Sequence, residues 1–281
     1  MKIIRSIKEM QAFSLSAKRK GGSIGFVPTM GALHEGHLSL IRRAKKENDI
    51  VVVSIFVNPA QFGPREDFEK YPRNLKKDAQ LCEKEGVDIV FYPSAKQMYP
   101  EGFKTYVEVE ELSEVLCGRS RPTHFRGVAT VVAKLFNIVS PEIAYFGAKD
   151  AQQAIIIRRM AQDLNLPLKI KVMPIVREKD GLALSSRNVY LNPDERKSAT
   201  VLYKAVREAA DLAKKKISDP RYIIQRMKQI IRREKCARID YIAIVNMSDL
   251  KPVKKIEGKV LLALAVYIGK TRLIDNIIIN V

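Results

Sequence analysis

From about residue 22 onward, short β-branched apolar runs alternate with segments of helical length. Parallel strands need long crossover connections, helices supply them, and both faces of the resulting sheet become covered. The runs Ser23 to Pro28, Asp49 to Asn58, Val87 to Tyr92, Ile143 to Phe146 and Leu168 to Val176 are expected as strands. Between them, Leu38 to Glu47, Asn74 to Glu85, Gly127 to Val139 and Asp150 to Leu164 are expected as helices, the second ended by Gly86 and the third by Ser140-Pro141. The fold class is therefore α/β, with a doubly wound, mostly parallel sheet.

After about residue 176 the pattern changes. Asn192-Pro193-Asp194-Glu195 offers an N-cap, a proline at the first helical position and acids in the first turn, and Leu202, Val206, Ala209 and Ala213 then fall on one helical face. Asp219-Pro220 opens a second helix with Ile223, Met227, Ile230 and Ile231 inward. Ile239 to Val245, Lys259 to Ile268 and Arg272 to Ile279 read as strands joined by turns at Ser248-Asp249 and Gly269-Lys270. A smaller α+β domain with an antiparallel sheet is expected over 176–281, after a first domain over 1–175. The chain's 281 residues leave room for two such domains.

Hydrophobic residues make up 46% of the chain, enough for a sizeable core and against disorder. No apolar stretch approaches a bilayer span, and the first residues lack a cleavable apolar region, so a soluble, cytoplasmic protein is expected. The three cysteines, Cys82, Cys117 and Cys236, are scattered, which supports neither a disulfide framework nor a clustered zinc site. The formal charge is +19, which attracts polyanions, and Asp194 to Lys235 alone carries 13 basic and 6 acidic residues. They are spread around two helices, as solvated faces require, so a noncatalytic nucleic-acid-binding protein is only a rival reading.

In an open parallel sheet, ligands bind beyond the carboxyl ends of the strands. The first strand runs into Pro28-Thr29-Met30-Gly31-Ala32-Leu33-His34-Glu35-Gly36-His37, with two imidazoles at a helix start and glycines allowing close backbone approach, as a polyphosphate site requires. The third histidine, His124, lies in Arg119-Ser120-Arg121-Pro122-Thr123-His124, just before another helix. Gly147-Ala148-Lys149-Asp150 follows the Ile143 strand, where Lys149 can meet phosphate as a point charge. Ser185-Ser186-Arg187-Asn188, near the domain boundary, adds hydroxyl and guanidinium donors. A zincin is excluded because His34-Glu35-Gly36-His37 is one residue short of His-Glu-x-x-His. Gly269-Lys270-Thr271 lacks the earlier glycine of a P-loop, and neither the dinucleotide fingerprint G-x-G-x-x-G nor the nucleophile elbow G-x-S-x-G occurs.

His34-Glu35-Gly36-His37 resembles the HIGH-type signature of the nucleotidyltransferase superfamily. With Phe56-Val57-Asn58-Pro59-Ala60-Gln61-Phe62, Tyr71-Pro72-Arg73, Arg121-Pro122-Thr123-His124-Phe125, Phe146-Gly147-Ala148-Lys149-Asp150-Ala151-Gln152-Gln153 and Asp180-Gly181-Leu182-Ala183-Leu184-Ser185-Ser186-Arg187-Asn188, the chain closely resembles the pantothenate synthetase (pantoate:β-alanine ligase) family over essentially its whole length. That resemblance implies a Rossmann-like amino-terminal domain, a carboxyl-terminal lid, a homodimer, and ATP-dependent condensation of (R)-pantoate with β-alanine through a pantoyl-adenylate, with Mg2+ accompanying ATP. Membranes and nucleic acid are not implied as partners.

By motif position, the resemblance assigns ATP to Met30, Gly31, Ala32, Leu33, His34, Glu35, Gly36, His37, Gly147, Ala148, Lys149, Asp150, Val176, Leu184, Ser185, Ser186 and Arg187. It assigns pantoate to Gln61 and Gln153, and β-alanine to Gln61. His37 is the implied proton donor, with His34, Lys149, Ser186 and Arg187 also in the catalytic set, and Asn58, Asp78, Arg121 and His124 in support. One departure and one alternative reading bear on this. Leu184 stands where many relatives carry methionine, and Asp78 has an alternative reading as a surface partner of Lys76 or Lys77. Asn58 and Tyr71 precede prolines and could serve only to shape turns. A tRNA-charging synthetase or cytidylyltransferase is the rival enzyme reading, but no KMSKS sequence and no recognisable anticodon-binding module are present.

Overall fold

The computed structural model describes residues 1–64 and 66–281. They form two compact units: Met1–Ser113 with Arg121–Ala148 and Ile156–Pro174, and Ile175–Val281 with Glu114–Ser120 and Lys149–Ile155. A single cut at residue 175 therefore misses two short segments that group with the later part of the chain.

The first unit is built on six parallel strands: β1 (Lys2–Ile4), β2 (Ile24–Thr29), β3 (Ile50–Ile55), β4 (Ile89–Phe91), β5 (Ile143–Gly147) and β6 (Lys169–Met173), in the order β1-β4-β3-β2-β5-β6. Helices α1 (Ile7–Arg19), α2 (Glu35–Glu47), α3 (Leu75–Lys84) and α6 (His124–Val139) connect and cover them, with α4 (Ala95–Met98) as a single turn; the single turn α5 (Cys117–Ser120) and the start of α7 (Ala151–Asp163), the helix before β6, group with the second unit. Successive side chains of β2 point to opposite faces. Val27 joins Leu40, Ile41, Val53 and Tyr145 in one fully buried cluster, while Phe26 meets the Phe136 ring of α6 edge-on at 6.4 Å. Both faces are thus apolar and helix-covered, as a doubly wound sheet requires.

Strand order reverses between β2 and β5, so the loops after these two strands flank the crevice where such sheets bind ligands. Those loops carry Met30–His37 and Gly147–Ala148. The strand β1 and helix α1 extend the alternation on its amino-terminal side, where the apolar pattern predicts no element. With only three residues, β1 gains its place by pairing with the distant β4.

In the second unit, α8 (Pro193–Ser198), α9 (Val201–Lys214) and α10 (Pro220–Ile231) pack on an antiparallel sheet of β7 (Ala237–Asn246), β8 (Lys259–Ile268) and β9 (Thr271–Asn280). The single helix expected from Asn192 is in fact two. Asn192 caps α8 in a capping box with Glu195, and the chain re-starts at Thr200, so that Leu202, Val206, Ala209 and Ala213 still reach the core. The segment Glu114–Ser120 is bound by side chains of this unit: Gln152 accepts from Cys117 N–H at 3.0 Å and donates to Val115 C=O at 2.7 Å, and Ser120 donates to Asp240 at 2.9 Å.

Candidate functional site

The loop after β2 is organised by its own side chains. His34 is the N-cap of α2, its Nδ1 accepting from Gly36 N–H at 3.1 Å, while His37 Nδ1 accepts from His34 N–H at 3.3 Å. This is a capping box built from two imidazoles, whose ring centroids lie 4.2 Å apart. Gly36 makes it possible, since a Cβ there would sit 2.8 Å from His34 Cε1. A backbone N–H can only donate, so both Nδ1 atoms are acceptors and both rings carry their proton on Nε2 when neutral. The local bonds thereby convert two histidines into two Nε2–H donors at the positive end of a helix. The helix begins at Glu35, three residues before the apolar pattern first announces it.

Three backbone amides of this loop are spent on its own shape. Gly31 N–H donates to Thr29 Oγ1 at 3.1 Å, and Ala32 and Leu33 N–H donate to the two carboxylate oxygens of Asp78 at 2.9 and 2.8 Å. The expected close backbone approach to phosphate is therefore not available at these amides, and the loop presents imidazoles instead. Asp78 is 2% exposed, in the first turn of α3. The surface pairing with Lys76 or Lys77 is thus incorrect; its carboxylate gives the strand-to-helix turn its shape. Glu35 is exposed and pairs with Arg42, which also holds Glu85.

Gln61 lies beside the same loop, its Nε2 3.2 Å from Met30 Sδ. It ends a short 3-10 turn, Pro59–Gln61, capped by Asn58 and lying against α6 at Gly127, where a Cβ would come within 2.1 Å of Ala60 O. Asn58 does shape this turn, but it is 1% exposed and also binds the Gln61 amide at 3.1 Å, so it does more than precede a proline.

The Gln61 carbonyl is held from another side. His124 Nδ1 lies 2.8 Å from Gln61 O, Arg121 Nη1 lies 3.0 Å from His124 Nε2, and Arg121 forms an ion pair with Glu66. A carbonyl only accepts and a guanidinium only donates, which places the His124 proton on Nδ1. Burial pushes the Glu66 carboxyl up, but the Arg121 guanidinium more than offsets it, leaving Glu66 below the ordinary carboxylate range. Arg121 and His124, read from sequence as a basic loop, are here committed to fixing Gln61.

In the second unit, Leu184 N–H donates to Val176 O at 3.0 Å, and Ser185 caps the 3-10 turn Ser186–Tyr190. That segment is fastened by Asn188, which donates to Glu178 and to Ala183 O at 3.2 Å each, while Glu178 also pairs with Arg196. Arg177 meets the buried Asp275 carboxylate through two bonds of 2.7 and 2.8 Å and stacks over Tyr203. Lys149 sits with its Nζ 3.4 Å from Asp150 and its carbonyl accepting from Asn276 at 2.8 Å. Gln153 is half-buried on α7, next to the buried Gln152. The sequence reading missed Gln152, Arg177, Asp275 and Asn276; of these only Gln152 carried a signal, by standing within the motif that contains Gln153.

A reversing parallel sheet with an imidazole-capped helix at the carboxyl end of its central strand makes this an α/β protein whose HIGH-type segment lies at the switch point where such sheets bind ligands. The particular family follows from similarity. The pantoate-beta-alanine ligase family model matches residues 2–278. The pantothenate synthetase of Caldicellulosiruptor bescii is 57% identical over 280 residues, covering 100% of this chain and 99% of that one, and that of Sulfurihydrogenibium sp. is 59% identical, covering 99% of each. A pantothenate synthetase structure from Thermus thermophilus superposes with a TM-score of 0.94 at 46% identity, covering 99% of both chains. The pantoate-beta-alanine ligase of Francisella tularensis, complexed with beta-gamma ATP and beta-alanine, gives 0.82 at 39% identity, covering 99% of this chain and 97% of that one. The chain belongs to the pantoate-beta-alanine ligase family.

Proposed function

We propose that this chain joins (R)-pantoate to β-alanine in two steps driven by ATP. In the first, a pantoate carboxylate oxygen attacks the α-phosphorus, the bond to the β-phosphate breaks and diphosphate leaves. In the second, the β-alanine amine attacks the acyl carbon of the pantoyl-adenylate, the carbon–oxygen bond breaks and AMP leaves. The observation that carries this reading is the imidazole capping box, which leaves the Nε2 atoms of two histidines as N–H donors at a helix start, in the loop whose Met30 touches Gln61. Two anions must be brought together in the first step, so alignment and donors aimed at the developing charge contribute most.

By their places in the family motifs, Met30 to His37, Gly147 to Asp150, Val176 and Leu184 to Arg187 contact ATP, and His34, His37, Lys149, Ser186 and Arg187 supply donors to its phosphates. Gln61 and Gln153 bind pantoate, and Gln61 also meets β-alanine. His37 Nε2–H serves as the proton donor. Asn58, Asp78, Arg121 and His124 act by holding these groups in place. The segment Ser185 to Arg187 belongs to a lid that keeps water from the adenylate. By the same family resemblance Mg2+ accompanies ATP and is assigned to its phosphates, where it would neutralise the departing diphosphate. No described helix is long and apolar enough to cross a membrane. We assign the enzyme to the cytoplasm, as a homodimer with small-molecule substrates rather than nucleic acid.

Adenylation is reversible and separate from amide formation. Labelled diphosphate is therefore expected to exchange into ATP when pantoate is present and β-alanine is absent. Exchange that ignores pantoate, or its absence, would overturn this function.

A further inference from the structure

Gln61 could meet a substrate with either end of its amide, a carbonyl oxygen that accepts or an NH2 that donates. The surroundings decide between them through a chain of groups with fixed polarity. The Gly127 carbonyl can only accept, so the Asn58 atom 3.1 Å from it is Nδ2. The other end of Asn58 is then Oδ1, which accepts from Ala60 N–H at 3.3 Å and from the Tyr99 hydroxyl at 2.7 Å. The remaining N–H of Asn58 points to Gln61 at 3.1 Å, and the atom receiving it must be Oε1. Nε2 is left on the side of Met30, whose sulfur is a weak acceptor. Asn58 and Gln61 are 1% and 9% exposed, so little water reaches this chain to relax it. Burial keeps the Tyr99 phenol protonated well above its ordinary range, despite the opposing bond to Asn58, and it remains a donor. The Tyr99 ring is itself fixed, edge-on to Phe103 at 5.1 Å with Lys134 over its face.

We propose that Tyr99 is a positioning residue which, through Asn58, locks the Gln61 amide with its NH2 end toward the substrate, so that Gln61 recognises pantoate as a donor to an acceptor oxygen. This rests on the assignment of Gln61 to pantoate. Tyr99 itself touches no substrate; it acts through Asn58, whose Oδ1 would otherwise lose a bond and whose amide would be held in place only by weaker constraints.

The test measures steady-state kinetics of the full chain with Tyr99→Phe, Gln61→Ala, their combination, and Gln61→Glu. Tyr99→Phe deletes one hydroxyl and keeps the ring, and is expected to raise the KM for pantoate by about three- to tenfold while leaving the KM for ATP and the kcat near those of the parent. A merely structural role would move all three together, or would add its own factor in the double variant. In the Gln61→Ala background, Tyr99→Phe is expected to change the pantoate KM by less than about twofold. Gln61→Glu, which turns the donor end into an acceptor, is expected to raise the pantoate KM beyond that of Gln61→Ala. An unchanged pantoate KM in Tyr99→Phe, full multiplicativity in the double variant, or near-parental binding by Gln61→Glu would overturn the relay alone. An unchanged pantoate KM in Gln61→Ala would overturn the assignment of Gln61 to pantoate, and the relay with it.

Discussion

Replacing His37 by alanine is expected to slow adenylation by about 10²- to 10³-fold, the scale on which loss of one donor to a developing oxyanion is felt. The geometry makes this specific. His34 N–H fixes His37 Nδ1 as an acceptor at 3.3 Å, so Nε2 carries the proton when the ring is neutral, and the variant removes a donor whose tautomer the local bond sets. It also removes half of the capping box, which costs only about 1 kcal/mol. Single-turnover formation of the adenylate, read beside the melting temperature, separates the two effects. Near-parental turnover with a small drop in melting temperature would reduce His37 to a cap.

Asp78→Ala is expected to act on stability and rate together. Its carboxylate accepts from the Ala32 and Leu33 amides at 2.9 and 2.8 Å, and alanine leaves one half-buried and one buried donor without this partner. The expected loss is about 3 kcal/mol of unfolding free energy. Since these amides immediately precede His34, displacement of the loop by about an ångström would lower adenylation by about 100-fold. Asp78→Asn should fall between the two, because one amide would then face a carbonyl oxygen and the other an NH2 group. Denaturant unfolding with single-turnover assays checks both effects. Full stability in Asp78→Ala would show that the loop holds its shape without this carboxylate.

What the sequence made legible was mostly local. Asn74, Asn192 and Asp219 cap helices within three residues of themselves, and the alternating apolar runs mark the strands of both sheets. The motif loops fall after β2 and β5, at the carboxyl ends where such sheets bind ligands. Non-local pairing was the harder part. Asp78 looked like an ordinary polar position on a helix because its partners lie 45 and 46 residues earlier. Tyr99 reaches Asn58 across 41 residues, and Glu66 reaches Arg121 across 55. No periodicity encodes such contacts. The break between α8 and α9 has no proline or glycine to announce it, and the three residues of β1 acquire meaning only against β4.

The central chemical claim is that a pantoate carboxylate oxygen attacks the α-phosphorus of ATP. Turnover with pantoate carrying ¹⁸O in both carboxylate oxygens tests it directly by mass spectrometry of the products. If the claim holds, AMP leaves with one labelled oxygen, the pantothenate amide carbonyl keeps the other, and diphosphate carries none. Unlabelled AMP, or label in diphosphate or inorganic phosphate, would contradict it.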